Sequence, residues 1–464
     1  MKKNVDLASG NIFKTLLVLS LPILGTSFIE TAYSLVDMIW IGRVGSSAVA
    51  AVGTAGFFTW LAVAFITVSK AGAQIKVSQS IGANELSDTK KYISGAMQVN
   101  IVLSILYMIV LLVFMEPLIG FFKLTDSEVI EMSYSYLTVV ALGMIFYFIN
   151  PVFTAIFIAA GDSKRPFLIN TTGLLINIVL DPILILGLGG IPAMGVLGAA
   201  LATVFAQIVV TISYIILIKR SKSEYLHFNL FEKPSFIHIK SMCNIGLPVA
   251  IQSGLFTIFS MVIGRIVAAY GPIPIAVQKV GSQIEAISWM TAGGFSTALG
   301  AFVGQNYGAR QYDRIEKGYR ATMYLAIALG VFATVLLIGF GRPLFSVFLP
   351  EADAIEQGNV YLQILGVSQL FMCIEITTQG LFNGLGRTYI PSVISIIFTG
   401  ARIPLAYFLA QPHLLGINGV WWAITISSII KGILIVGIYL YIKKKNTLYP
   451  CKNTAEEELE IQPA

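Results

Sequence analysis

Twelve apolar runs, each near the twenty residues that a helix needs to cross a bilayer, take up most of this chain of 464 residues. They lie at 13–40, 48–70, 92–115, 130–159, 166–188, 195–219, 243–268, 273–301, 316–340, 356–383, 390–411 and 417–442, numbered here as spans 1 to 12. Hydrocarbon offers no partner to backbone N–H and C=O groups, so each run must satisfy its own, and a helix does that. The pattern predicts an all-α polytopic membrane protein with twelve transmembrane helices. Composition agrees: 56% of residues are hydrophobic and 12% charged, with mean hydropathy +0.81, more apolar surface than a soluble fold hides. The long runs at 130–159 and 273–301 are the ones expected to bend or to extend into a loop.

The basic residues set the orientation. With the N-terminus inside, 22 Lys and Arg fall in cytoplasmic segments against Arg43, Lys123 and Arg342 outside, the other five being within spans. That asymmetry places both termini in the cytoplasm of a multi-pass protein of the cell (inner) membrane. It also accounts for the net charge of +6, so the lipid bilayer is the expected partner and no nucleic acid is implied. Lys2, Lys3 and the apolar run from Leu16 look like a secretory signal, but the apolar character continues to about residue 41 without a small-residue cleavage pattern.

The chain repeats itself. At an offset of 226, Leu21-Pro22 falls on Leu247-Pro248, Gln79, Gly82 and Ala83 on Gln305, Gly308 and Ala309, and Pro117-Leu118 on Pro343-Leu344. The offset is 225 for Gly161 and Gly386, and for Pro166 and Pro391; it is 221 for Gly195 and Gly416, and for Gly198 and Gly419. An ordered series of this kind marks an internal duplication, and an even number of spans per copy makes the two copies parallel. The expected domains are an N-lobe at 1–220 (spans 1 to 6), a cytoplasmic linker at 221–240, a C-lobe at 241–442 (spans 7 to 12), and a disordered cytoplasmic tail at 443–464. Parallel six-helix halves suit a secondary transporter.

Several chemistries lack their residues. The chain has no Gly-Lys dipeptide, hence no P-loop and no ATP hydrolysis. His227, His238 and His413 are scattered, and are read as loop residues outside any metal site. Cys243, Cys373 and Cys451 show no pairing or metal spacing, and no nucleophile–base arrangement is visible, so enzyme activity is not expected. Transport would then draw on an ion gradient, and carboxylates inside the spans are the candidates for coupling.

A carboxylate at the centre of a membrane helix costs about 3 kcal/mol on insertion scales. Asp37 and Asp181 bear that cost. Asn177 precedes Asp181 by one turn and Pro182 follows, freeing a backbone carbonyl, so amide, carboxylate and carbonyl meet at one depth, the material of a cation or proton site. Glu30 shares a helix face with Asp37 about 10.5 Å away, and is a further protonation or substrate residue. Alternatives stand beside these readings. Asp37 also fits an anchor at the outer end of its span, Asp181 a partner for a buried base, Thr203 a packing residue, and Glu375 half of an ion pair with Arg402 or Lys279. Acidic residues within spans (Glu30, Asp37, Asp181, Glu285 and Glu375 among them) are set against basic ones (Lys70, Arg265, Lys279, Arg402 and Lys431).

Ser34-Leu35-Val36-Asp37 with Ile41-Gly42 resembles the multidrug and toxic compound extrusion (MATE) transporters. So do Gln79-Ser80-Ile81-Gly82-Ala83 and its echo at 305–309, Asn177 to Pro182, Gly195 to Thr203, and Gly384-Leu385-Gly386-Arg387. The resemblance covers about residues 8–442. The basic Asp-Arg motif that other paired twelve-span transporters carry between spans 2 and 3 is missing. The resemblance implies a V-shaped MATE-like fold of two parallel six-helix repeats, and export of amphipathic, cationic organic compounds or drugs against entering H+ or Na+. It carries the ion site to Asp37, Asn177, Asp181 and Thr203, with no cofactor, no metal other than sodium there, and a small-molecule substrate handled by a monomer. Glu30, Tyr33, Lys279, Gln283, Glu285 and Glu375 are the further candidates for coupling or substrate contact. Two features depart from the family pattern. Val249 to Ser260 has no acid where members with a C-lobe cation site carry Glu, and Glu30 stands where Gln is common. The alternative function is a flippase-type exporter of a lipid-linked or zwitterionic substrate.

Overall fold

A computed structural model describes residues 7–124, 126–190, 192–348 and 351–449, the side chains at 34, 35 and 189 excepted. The expected spans form as helices Ile12–Val44, Ser46–Gly82, Leu86–Val113, Ser127–Ala159, Lys164–Leu186, Gly195–Arg220, Phe236–Ala268, Pro272–Gly308, Tyr312–Gly339, a bent pair Ala352–Gly366 and Gln369–Gly384, then Tyr389–Leu409 and Ile417–Lys444. Eleven are single spans and the bent pair makes twelve. Span 1 starts from Asn11, whose side chain accepts the Lys14 N–H at 3.0 Å and satisfies one of the free donors of the first turn. Pro22, Pro151, Pro182 and Pro248 all lie inside helices.

The duplication is written into the backbone. Spans 2 and 8 are both 37 residues long, and spans 3 and 9 both 28. Short helices Met115–Gly120 and Gly341–Ser346 follow at matching places. Left-handed turn residues recur in register: Asn84 (φ 59°) with Arg310 (φ 55°), Gly161 (79°) with Gly386 (76°), and Gly195 (53°) with Gly416 (56°). At Gly161 and Gly386 the chain reverses between two spans with a backbone that side-chain-bearing residues rarely adopt.

The stretches at 130–159 and 273–301, expected to bend or to extend into a loop, are not broken: Ser127–Ala159 and Pro272–Gly308 are continuous helices. Span 10 bends instead, by 48° at Val367-Ser368. Its freed carbonyls are met by neighbours. Thr425 donates to the Ile364 carbonyl at 3.0 Å, Thr334 to Gly366 at 2.9 Å, and the Ser368 N–H to Leu365 at 3.1 Å. A break at membrane depth is tolerated because protein groups take over the lost bonds.

The chain packs as two compact units, Met1–Gly254 with Gly300–Arg310 and Asn383–Tyr389, and Leu255–Leu299 with Gln311–Phe382 and Ile390–Ala464. In the first, span 2 packs on span 4, span 4 on span 6, and span 5 on spans 1 and 6. In the second, span 10 packs on spans 9 and 12, and span 11 on span 12. Apolar cores form around Phe58, Tyr136 and Phe148, around Phe153 and Tyr214, and around Tyr361 and Trp421.

Inside the first unit the Gln79 and Gln305 loops grip each other. Gln79 donates its amide to the Gly384 carbonyl at 3.0 Å, and Gln305 to the Ala159 carbonyl at 2.6 Å. Gly82 lies against the Gln305 carbonyl and Gly308 against that of Gln79, with no room for a methyl at either place. The segment between spans 6 and 7 is strapped to span 3: Ser94 donates to Asn229 at 3.0 Å, and Gln98 to both Leu230 and Glu232 at 2.8 Å. His238 stands in the first turn of span 7 rather than in a loop, its Nε2 3.3 Å from Asp88. Span 12 runs to Lys444, and Tyr449 stacks on Tyr312 at 4.6 Å. Residues 450–464, most of the expected tail, lie outside the described residues.

Candidate functional site

Spans 1, 5 and 6 bring Asp37, Asn177, Asp181 and Thr203 together. Span 1 packs against span 5, and span 5 against span 6. Small residues on the facing helices permit the approach: Gly198 of span 6 lies against the Leu184 backbone of span 5, and Gly173 of span 5 against the Tyr33 hydroxyl of span 1. Thr203 Oγ1 donates to Asp37 Oδ2 at 3.4 Å, and Asn177 Nδ2 donates along its own helix to Asp181 Oδ1 at 3.0 Å. Asp181 and Asn177 are the other polar groups that face Asp37. Asn177 and Asp181 are fully buried. Pro182, within the same helix, lacks the N–H that would close on the Ile178 carbonyl one turn earlier.

Four oxygens in this cluster are buried and have no hydrogen-bond donor among the described residues: Asp37 Oδ1, Asp181 Oδ2, Asn177 Oδ1 and the Tyr33 hydroxyl. Buried polar atoms are almost always paired, so a group of orphans in one place is a chemical statement. Two carboxylates in such contact repel each other unless a proton or a cation lies between them. The donor set is entirely oxygen: two carboxylates, an amide and hydroxyls. That set fits a proton or a hard monovalent cation, and it does not resemble the nitrogen and sulfur sets of structural zinc. No base stands beside Asp181 among its recorded partners, which are Asn177 and Asp37.

The other sequence candidates fall elsewhere. Glu30 is exposed and has no ion pair among the described residues. Lys279 and Gln283 are exposed on span 8. Glu285 is held at the bend of span 10, where Gln369 donates to its Oε2 at 3.4 Å and, through Oε1, accepts from Ser288 at 2.6 Å. Its own Oε1 has no hydrogen-bond partner among the described residues.

Glu375 forms an ion pair, but with neither Arg402 nor Lys279. Lys431 of span 12 reaches its Oε2 at 3.1 Å, the two side chains being 3% and 9% exposed. Gln379 and Ser395 donate to its Oε1 at 3.0 and 3.1 Å. Arg402 bonds instead to two hydroxyls, Ser427 at 2.5 Å and Ser428 at 3.0 Å. Sequence reasoning gave Lys431 no role. The available signal was a lysine in the middle of an otherwise apolar span, which is costly without a buried acid to meet it.

Twelve spans in two copies, with carboxylates gathered where spans 1, 5 and 6 of the first meet, mark a polytopic membrane protein of the transporter kind. The family model of MatE matches residues 22–183 and again 248–408, once in each copy, and the chain belongs to this family, the MATE transporters. The chain is 26% identical over 417 residues to a probable multidrug resistance protein NorM of Thermotoga maritima, covering 88% of each. It is 24% identical to an FAD transporter of Shewanella oneidensis over 99% of this chain and 100% of the other. Its fold matches that of a multidrug resistance MATE family transporter of the MOP superfamily, solved in an outward-facing conformation, with a TM-score of 0.87 and 23% identity over 97% of this chain and 100% of that one.

Proposed function

We propose that this protein exports amphipathic organic compounds, cationic drugs and dyes among them, in exchange for H+ or Na+ entering at the Asp37–Asn177–Asp181–Thr203 cluster. The supporting observation is the group of unpartnered oxygens shared by spans 1, 5 and 6. An ion there neutralises the carboxylates and draws the three spans into a tighter packing. Substrate binds the packing that the ion disfavours, and each therefore expels the other. Coupling needs no more than that difference in preference between two states. Both termini lie in the cytoplasm of the cell membrane, following the distribution of Lys and Arg.

The test is ethidium efflux from proteoliposomes under an imposed proton or sodium gradient, with wild type and Asp37→Asn side by side. Wild-type efflux driven by one gradient and lost in the variant is the expected result, and the gradient that drives it names the ion. Equal efflux from both removes Asp37 from the coupling. A second reading, export of a zwitterionic or anionic compound or of a lipid-linked one, draws support from the presence of basic residues beside acidic ones within spans and from the FAD transporter among the relatives. Gradient-driven uptake of FAD without ethidium efflux would favour it.

A further inference from the structure

The two copies fill one equivalent place with opposite kinds of chemistry. In the first, Asn150 of span 4 accepts from Thr211 at 2.7 Å and donates to the side chain of Gln207 at 2.7 Å, both on span 6. Every member of that contact is neutral. At the offset of 225 the same place in the second copy holds Glu375 of span 10, and its partner on span 12 is the Lys431 ammonium. An amide–hydroxyl contact between two spans has become a carboxylate–ammonium contact between their counterparts.

Both oxygens of Glu375 are committed, Oε2 to Lys431 and Oε1 to Gln379 and Ser395. The Asp37–Asp181 cluster is the reverse case, with one oxygen of each carboxylate left over. A second fixed positive charge stands nearby, since Arg402 of span 11 faces Glu375 and Glu285 electrostatically and hydrogen-bonds only hydroxyls. A mobile cation arriving at Glu375 would have to displace a tethered ammonium while facing a guanidinium.

We propose that Lys431 is a built-in counter-ion. It holds Glu375 permanently compensated, so this acid exchanges no ion, in contrast to the acids of spans 1, 5 and 6. Glu375 is then a positioning residue that joins spans 10, 11 and 12 through Lys431, Gln379 and Ser395. The inference rests on the ion-coupled reading proposed above. Removing the ammonium would leave the Glu375 carboxylate without its counter-ion, with the Ser395 hydroxyl beside it, oxygens that a sodium ion takes.

The experiment compares wild type, Lys431→Met, and the double variant Glu375→Gln/Lys431→Met. Thermal unfolding is followed in sodium chloride and in choline chloride of equal concentration. Lys431→Met is expected to melt roughly 2 °C or more higher in sodium than in choline. In the wild type and the double variant the difference should not depend on Lys431 or Glu375 and should be the same in both. The double variant, with both charges gone, should keep ion-driven efflux in proteoliposomes. The proposal is overturned if the double variant unfolds like the wild type yet has lost gradient-driven efflux, because the pair would then be exchanging ions. It is equally overturned if Lys431→Met shows no additional response to sodium. Should Lys431→Met not fold, efflux by the double variant decides alone. Asp37→Asn in the same vesicles separates the two readings: its unchanged efflux would sink the coupling site in spans 1, 5 and 6, while the sodium response of Lys431→Met judges the tether by itself.

Discussion

Thr425→Val isolates what it costs to break a membrane helix. At the bend in span 10 the Ser368 N–H bonds the Leu365 carbonyl, so the Ile364 carbonyl loses the donor it would have had in a regular helix. Thr425, fully buried on span 12, supplies one from its side chain at 3.0 Å. Valine keeps the shape and removes the donor. An unsatisfied buried acceptor costs about 1–3 kcal/mol. Polar contacts in bilayers average nearer 0.6 kcal/mol, because the reference state in the membrane also finds partners. Between these, about 1–2 kcal/mol is expected, roughly a 5- to 30-fold fall in the folded-to-unfolded ratio. Thr291→Val is the control, since Thr291 bonds the Ile287 carbonyl at 2.6 Å inside a continuous helix where that carbonyl already has a backbone donor. It should cost no more than about 0.5 kcal/mol. Both are measured by SDS-induced unfolding of the purified protein from mixed micelles. Equal costs for the two valines would refute the argument that a side chain replaces the backbone donor at the bend.

Two further outcomes follow from contacts in the first unit. Gln98→Ala removes both bonds that strap the 230–232 segment to span 3. It should cost about 1 kcal/mol and speed limited proteolysis of that segment; an unchanged cleavage rate would show that the strap does not restrain it. Gly82→Ala and Gly308→Ala each force a methyl into a backbone carbonyl that cannot swing aside. Each should cost about 3 kcal/mol or more, with matching losses of monodisperse protein on fluorescence-detected size exclusion, and a clear inequality between them would count against their equivalence.

Much of this architecture could be read without coordinates, for physical reasons. Hydropathy locates spans because lipid enforces helices, and the duplication is visible because turn residues such as Gly161 and Gly386 must keep an unusual φ. Asp37, Asn177 and Asp181 stand out as polar residues among apolar neighbours, Thr203 enters only through the family resemblance, and the structure brings the four together. Pairing across distant spans was harder. Glu375 had several bases available in the same half, and nothing in local spacing singles out Lys431 on another helix. The break lies outside the two stretches expected to bend, 130–159 and 273–301: span 10 breaks at Val367-Ser368, with no proline present to mark it. What permits that break is donated by Thr334 and Thr425, which lie in other spans.

The glutamine clasp has a consequence for ancestry. Each of its bonds joins a side chain from one copy to a carbonyl from the other, and the two bonds exchange under the internal repeat: Gln79 with Gln305, Ala159 with Gly384. The glycines reciprocate in the same way, Gly82 against Gln305 and Gly308 against Gln79. Residue i meeting j while j meets i is the signature of a self-complementary twofold interface between identical subunits. A six-span chain carrying one such glutamine, glycine and carbonyl would have had everything needed to close this junction with a second copy of itself. Fusing two such genes would then only have tied together a pair that already fitted.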